Sequence, residues 1–390
     1  KQTRTQTDLH MSSSKNTNMT DITDAEEEEA DISNKAVWGK YKAAAKICQD
    51  TIKSVMGNIK AGSSVMELCR AGDAFVNAAC TKLYKNKKME KGVAFPTCVS
   101  VNQMVCHYSP TTSEFDIQLK NDDIVRIDLG VHIDGYIAVA ANTVVLTNKK
   151  LTGRRGDLFA CATNAMRGAI NTMKVGNTNN EVAEVLRLAA EAYNCHVVSG
   201  VISHQMKRFI IDGSNGILNN EKADQIMDTR AFKANEVYAI DVVMSTNETI
   251  LKEYEMRPFI YKRAIDQSFK LTLKYSKEVF HEIRKFNCLP FSLSALSDQK
   301  KARIGIMDLK RHRLVDPYPV LVSNKNAEVV HLKYTVCILP NKTQKICGFS
   351  LQTHKSSHKI KNQNLKDILQ NKKKAVQKVD TTAQPMDVDG

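Results

Sequence analysis

Apolar residues recur every three or four positions in the first part of the chain, which is the spacing of one face of an α-helix. The core face predicted for this first helix carries Val37, Tyr41, Ala44, Ala45, Cys48, Ile52 and Val55. Gly62, Ser63 and Ser64 then supply a helix stop and a new N-cap before the stretch VMELCRAGDAFVNAACTKLY. The pattern therefore predicts two helices at the start of the globular region.

A β-hairpin is predicted by IVRIDLGVHIDGYIAVAANTVVL, in which Asp134-Gly135 is a strong signal for a two-residue type I′ turn. With that turn, Gly130 faces Val139 across the hairpin, and Asp128 lies on the same face as a diagonal neighbour. Asp128 interrupts an apolar strand, and a buried carboxylate is costly unless a metal, a cation or hydrogen bonds compensate it. We therefore expect a cation near Asp128.

Two more helices, Leu158–Met173 and Val182–Tyr193, are predicted after the hairpin, with KVGNTNNEV as the turn and cap between them. The second half of the chain repeats this order loosely, because DDIVRID, which ends at Asp128, resembles NEVYAID, which ends at Asp241. The repeat indicates two half-domains related by pseudo-symmetry, each with one aspartate on a central strand. A chance similarity between short apolar strands is the alternative.

Composition limits the class of protein. The chain of 390 residues with 42% hydrophobic content can bury the core of one large α/β domain or of two smaller ones. It has no apolar run of the roughly 18 to 20 residues that a membrane span needs and no signal-peptide pattern at its start. Its ten cysteines include no CxxC pair, so we expect buried thiols in a reducing compartment and no disulfides.

The charge is unevenly distributed along the chain. A net charge of +14 favours a polyanionic partner, although a basic surface can also serve solubility alone. The segment DITDAEEEEAD near the start is acidic, and KIKNQNLKDILQNKKKAVQKV near the end is rich in lysine. We expect residues 1–34 to form a disordered acidic tail and residues 354–390 a disordered basic tail around a domain of residues 35–353. Residues 1–10 precede the first methionine, Met11, and are left out of the fold prediction.

Five ordered motifs carry a resemblance to a known family. They are AFPTCVSVNQMVCHYSP, VRIDLGVHIDGYIA, SGVISHQMKRFIIDG, EVYAIDV and LKYTVCILP. Together they resemble the type 2 methionine aminopeptidases and, more closely, their non-peptidase relatives, the proliferation-associated or ErbB-receptor-binding proteins. The resemblance covers about residues 35–370. It implies the pita-bread fold, an α/β (α+β) architecture of two pseudo-symmetric halves with a helix-rich insert at about 268–326.

The resemblance also assigns positions in the aminopeptidase's two-metal site. Asp128 stands at the first aspartate ligand, His204 at the histidine ligand, and Asp241 at the first glutamate, shortened by one methylene. Val139 stands where the second aspartate belongs, and Lys333 where the last glutamate belongs. In the family, those two carboxylates bridge the metals, and without them a two-metal clamp cannot form. We therefore expect no catalytic residue, no bound metal and no cofactor.

The resemblance also assigns two further positions in the family's cleft. His107 is retained, whereas Asp212 replaces a second histidine used near the substrate. His107 and His204 could equally be ordinary packed histidines.

Lys333 is expected to supply the missing positive charge. Its ammonium would offset one of the carboxylates of Asp128 and Asp241, and His204 could take up a proton and offset the other. The alternative is that Lys333 lies on an edge strand and points into solvent.

The predicted insert carries a basic face, and the tail adds a lysine cluster. These candidate RNA-binding or ribosome-binding residues are Lys300, Lys301, Arg303, Lys310, Arg311, Arg313, Lys372, Lys373 and Lys374. A solvated face without a partner is the alternative. In the resembled relatives, the insert and basic tail are implicated in binding RNA and the large ribosomal subunit near the nascent-chain exit. Because few aromatic residues accompany these charges, we expect contacts to phosphates and RNA shape rather than to base sequence.

Three functions remain open on this evidence. The first is a catalytically inactive adaptor that binds structured RNA and the large ribosomal subunit and acts in growth or translation regulation. The second is an active methionine aminopeptidase with metal held by Asp128, His204 and Asp241 alone. The third is a protein- or peptide-binding module that uses the old cleft around His107 or the LxxLL-like segment NLKDIL at 364–369, from which Ile368 departs. We expect a monomer without a membrane partner, in the cytoplasm with a nuclear or nucleolar pool.

Overall fold

A nine-stranded antiparallel sheet lies at the centre of the fold, in the order β1-β3-β4-β14-β8-β6-β7 with β15 on β14 and β5 on β8. The computed structural model describes residues 30–85, 87–220 and 227–371. The strands in those ranges are β1 (Lys91–Val101), β2 (Met104–Cys106), β3 (Ile124–Ile133), β4 (Tyr136–Val145), β5 (His196–Val197), β6 (Ile202–Met206), β7 (Gly216–Leu218), β8 (Val237–Ser245), β9 (Lys252–Glu253), β10 (Ile260–Arg263), β11 (Phe291–Ser292), β12 (Val315–Tyr318), β13 (Leu321–Val322), β14 (Val329–Ile338) and β15 (Thr343–Cys347).

Helices cover the sheet in two pairs. The helices of the described residues are α1 (Lys35–Gly57), α2 (Val65–Lys82), α3 (Gly153–Thr172), α4 (Asn179–Ala192), α5 (Lys274–Ile283), α6 (Gln299–Arg311) and α7 (Gln363–Leu369). The first two pack on β1, β3 and β4, and the next two on β7, β8 and β14. The predicted caps are present: Ser64 accepts the backbone N–H of Glu67, and Thr178 forms a capping box with Glu181. No described helix is long and apolar enough to cross a membrane.

The two halves of the sheet have matching construction. The β3–β4 hairpin in one half corresponds to the antiparallel pair β8–β14 in the other, and β4 lies beside β14 at the junction. Asp134 and Gly135 have φ angles of 54° and 79°, as the predicted type I′ turn requires, and Gly130 pairs with Val139. The pita-bread fold with two pseudo-symmetric halves is therefore confirmed.

The helix-rich insert has a small core of its own. Strands β10, β11 and β12 form its sheet, and α5 and α6 pack against each other. The helices approach closely at Gly305, where a Cβ atom would lie 2.7 Å from Cγ2 of Val279. Ile283, Phe291 and Leu309 are buried in this core. A separate core lets the insert present an outer face without exposing the central sheet.

The prediction of a disordered tail from residue 354 is wrong for residues 354–371. The chain returns over the second half after β15, and α7 packs against α3 and α4 with Leu365 fully buried and Leu369 nearly so. These are the leucines of the NLKDIL segment, so its apolar face is already covered by the protein itself. At the other end, Ile32 is buried and Asn34 caps α1, so residues 31–34 also belong to the fold.

Candidate functional site

The candidate site is a row of residues that crosses four central strands. Asp128 on β3 pairs with Ala141 on β4, which pairs with Lys333 on β14, which in turn pairs with Asp241 on β8. Lys333 therefore lies on an interior strand, and the alternative of an edge strand facing solvent is wrong. The two aspartates of the sequence repeat meet at one lysine.

The Lys333 ammonium binds both carboxylates. Its Nζ lies 2.7 Å from Oδ2 of Asp128 and 3.2 Å from Oδ2 of Asp241, and the lysine side chain is only 13% exposed. Burial alone would lower the pKa of Lys333, but the two carboxylates outweigh it and raise that pKa above its usual range. Burial would likewise raise the pKa of Asp241, but His331 and Lys333 lower it. The cation expected near Asp128 is this lysine.

The histidine that contacts Asp241 is His331 and not His204. His331 Nε2 lies 2.6 Å from Oδ1 of Asp241 and is buried. His204 borders the same cavity, but burial and the nearby Lys333 lower its pKa, and its Nδ1 has no hydrogen-bond partner among the described residues. Among the described residues His204 forms no ion pair with a carboxylate, so the structure does not place it where it was expected to offset one. Strand alternation could have identified His331, because residues 331 and 333 of one strand share a face.

Val139 and Lys333 do not suit the pair of metals that the resemblance implies. Val139 lines the cavity and offers no metal-binding atom on its side chain. The Lys333 ammonium binds the two carboxylates that would have to hold the ions, and Asp241 has its other oxygen on His331. Among the described residues, no three His, Cys, Asp or Glu side chains are arranged to hold a metal ion. The residues present do not fit a two-metal site.

His107 is a packed residue in the wall of this cleft. Its Nδ1–H donates to the carbonyl oxygen of Pro319 at 2.8 Å, and its ring lies 5.8 Å from Phe95 and 5.4 Å from Tyr318, measured between centroids. Burial lowers the pKa of His107. Asp212 binds the Lys262 ammonium at 2.6 Å. The remaining cavity has a volume of about 210 Å³ and mostly apolar walls.

The candidate basic residues of the insert form two clusters near the ends of α6, and Lys300, Arg303, Lys310 and Arg311 lie on the side of the helix opposite its buried residues. Lys300, Lys301 and Arg303 lie in the first turns of α6, and Lys301 binds Glu278 at 3.0 Å. The second cluster lies at the other end of this 13-residue helix, about 15 Å further along its axis. It consists of Lys310, Arg311 and Arg313, all of them exposed. Lys372, Lys373 and Lys374 lie outside the described residues.

Relatives of known name share this chain's sequence over most of its length. A model of metallopeptidase family M24 matches residues 39–257. ERBB-3 binding protein 1 of Solanum tuberosum is 41% identical over 84% of this chain and 85% of its own. Proliferation-associated protein A of Dictyostelium discoideum is 39% identical over 90% and 94%. The curved DNA-binding protein of Schizosaccharomyces pombe is 36% identical over 79% and 82%.

Solved structures share the fold. The structure of a thermophilic Arx1 superposes with a TM-score of 0.81 at 24% identity, over 86% of this chain and 98% of that one. A methionine aminopeptidase of Thermotoga maritima gives 0.53 at 16% identity, over 81% and 98%. The fold is therefore the pita-bread fold that these structures share. The chain belongs to metallopeptidase family M24 and, within it, to the ErbB-3-binding and proliferation-associated proteins, as its five motifs indicated.

Proposed function

We propose that this protein is a catalytically inactive relative of the methionine aminopeptidases that binds RNA and the large ribosomal subunit as an adaptor. The observation that carries the first part is the Lys333 ammonium between Asp128 and Asp241. We also propose a role in growth or translation regulation, in the cytoplasm with a nuclear or nucleolar pool.

The inactive state follows from charge and geometry. A divalent ion at this place would have to displace an ammonium whose pKa is raised by the very carboxylates the ion needs. Two ions would then repel each other with no carboxylate between them. A single ion on Asp128, His204 and Asp241 would also have to break the 2.6 Å contact between Asp241 and His331. The active aminopeptidase is therefore the weaker hypothesis.

Metal content and peptidase activity test this part directly. The purified protein, dialysed against cobalt or manganese, should contain no stoichiometric pair of metals and should release no methionine from Met-Ala peptides. An authentic methionine aminopeptidase treated in the same way is the positive control. Two metals per chain, or methionine release above background, would contradict the proposal.

The RNA-binding part rests on charge and resemblance. The chain carries a net charge of +14, and Lys310, Arg311 and Arg313 are exposed at one end of α6. A relative that is 36% identical is named for binding curved DNA, which is also a polyanion. The resemblance to the non-peptidase proteins implies the large ribosomal subunit as the partner. Phosphate contacts by such side chains release counterions and make affinity depend steeply on salt.

A salt titration on large ribosomal subunits and on structured RNA tests the adaptor. If four to six phosphates are neutralised, the slope of log affinity against log salt should be about −3.5 to −5.5. Replacing Lys310, Arg311 and Arg313 by alanine should weaken binding and flatten the slope. The matched control replaces three exposed lysines in or just after α1 by alanine: Lys42, Lys53 and Lys60.

The contribution of the tail to affinity and slope is measured with a chain that ends after Asn371, because an earlier end would remove the docked α7. If neither the insert variant nor this shortened chain changes affinity or slope, the basic surface serves solubility. The protein- or peptide-binding module would then be favoured, since the 210 Å³ cleft is kept while the leucines of NLKDIL are covered.

A further inference from the structure

An exposed aromatic ring lies flat on a histidine in the second basic cluster of the insert. The rings of Phe269 and His312 are 3.7 Å apart between centroids with their planes 21° from parallel. Phe269 remains 51% exposed although the imidazole lies on one face of its ring. An apolar ring held open to solvent in this way offers a flat surface to a ligand with a π-face.

The end of α6 holds the His312 ring in place. His312 is the C-cap of α6, and its Nδ1–H donates to the carbonyl oxygen of Asp308 at 2.9 Å. Leu309, in the same turn, is fully buried in the insert's core and anchors the end of the helix. The imidazole is therefore oriented before any ligand arrives, and little ordering entropy remains to be lost at this ring on binding.

Positive charges flank the stacked rings. Lys310 and Arg311 precede His312, and Arg313 follows it with a φ of 57° that turns the chain away from the helix. All three side chains are exposed, whereas the nearest acid on the helix, Asp308, is partly buried against His312. The surroundings of the ring therefore suit an anion that also carries an aromatic group.

We propose that Phe269, backed by His312, is a stacking platform for an unstacked nucleotide of single-stranded or looped RNA. The inference rests on the proposed RNA-binding function and names the form of RNA that the insert takes. A base in a loop exposes its π-face, and stacking on an aromatic side chain contributes about 1 to 3 kcal/mol per base without strong sequence preference. Bases inside a duplex are already stacked. Lys310, Arg311 and Arg313 would contact the flanking phosphates.

Two RNAs of equal charge separate this inference from phosphate binding. One is a hairpin with an eight-nucleotide loop and the other a blunt duplex of the same number of phosphates. Phe269→Ala should weaken binding of the hairpin about 5- to 150-fold and leave the duplex unchanged, and Phe269→Trp should retain hairpin affinity. Ile265→Ala, which removes an apolar residue that is 66% exposed in the same loop, is the matched control and should change neither.

Fluorescence reports the contact itself. With 2-aminopurine in the loop, wild-type protein should quench emission and Phe269→Ala should not. If wild-type protein binds both RNAs and Phe269→Ala weakens the binding of both equally or of neither, the stacking platform is overturned. The proposed adaptor function is then unaffected. Wild-type protein that binds neither RNA would overturn both. Phe269→Ala should melt like wild type, because the ring is outside the core.

Discussion

The Lys333 ammonium lies 2.7 Å from Oδ2 of Asp128, although 205 residues and one intervening strand separate the two. The contact is possible because β4 presents only Ala141 between them. A larger side chain at position 141 would fill the space that the lysine crosses. In this way a cation from the chain itself lies where the resemblance to the aminopeptidases implies metal ions.

Removing Lys333 should destabilise the fold strongly. Lys333→Met keeps most of the side-chain volume but leaves Asp128 and Asp241 buried without their ammonium, which should cost about 3 to 5 kcal/mol in the free energy of unfolding. Urea denaturation at pH 7 measures it. The control is Lys46→Met, whose side chain is 69% exposed and whose pair with Asp50 should contribute less than about 1 kcal/mol. Equal urea midpoints for Lys333→Met and wild type would place the lysine outside the ion pair.

The contact between Lys333 and Asp241 should make part of the protein's stability sensitive to acid. The pKa of Asp241 is lowered in the folded state. Such a group contributes stability that is fully present above its unfolded-state pKa, about 3.9, and is lost as the pH falls through the folded-state value. The stability gap between wild type and Lys333→Met should therefore be widest near pH 7 and should narrow below about pH 4. A gap that stays constant down to pH 3 would argue against this linkage.

Carboxylates at positions 139 and 333, where the resemblance implies them, should create a metal site without activity. The double variant Val139→Asp, Lys333→Glu supplies both bridging groups and removes the competing ammonium, so it should bind manganese by calorimetry and melt higher with the metal than with EDTA. Methionine release should stay at background, because the resemblance implies a histidine at position 212 and a glutamate at position 241, where this chain has Asp212 and Asp241. Val139→Asp alone keeps Lys333 and should bind no metal. Equal binding by the single and double variants would show that the ammonium does not block the site.

The end of the ordered chain can be located by truncation. A chain ending after Asn371 should unfold like the full protein, because α7 stays docked. A chain ending after His354 loses Leu365 and Leu369 from the face of α3 and α4, which should cost about 3 to 6 kcal/mol at the usual value for two buried leucines. Thermal melts of both chains measure the difference. Identical melting temperatures would mean that the helix adds nothing to the fold.

Local signals accounted for the elements that were predicted correctly. The first two helices follow from apolar spacing and the Ser64 cap, and the hairpin follows from the Asp134-Gly135 turn. These features depend on residues within a few positions of one another. The seven-residue α7 was missed because its two leucines give little periodic signal inside a lysine-rich segment, and it is held by helices about 200 residues earlier in the chain.

The sequence by itself determined which chemical groups stand at the site: two aspartates, Val139 and Lys333, and a histidine two positions before that lysine. It also determined which strand positions share a face, because strand alternation is a local property. Only the tertiary structure decided that Lys333 reaches both aspartates, that His331 and not His204 binds Asp241, and that Phe269 stacks on His312. Those contacts join residues 43 to 205 positions apart. They depend on how strands and helices pack, which no short stretch of sequence encodes.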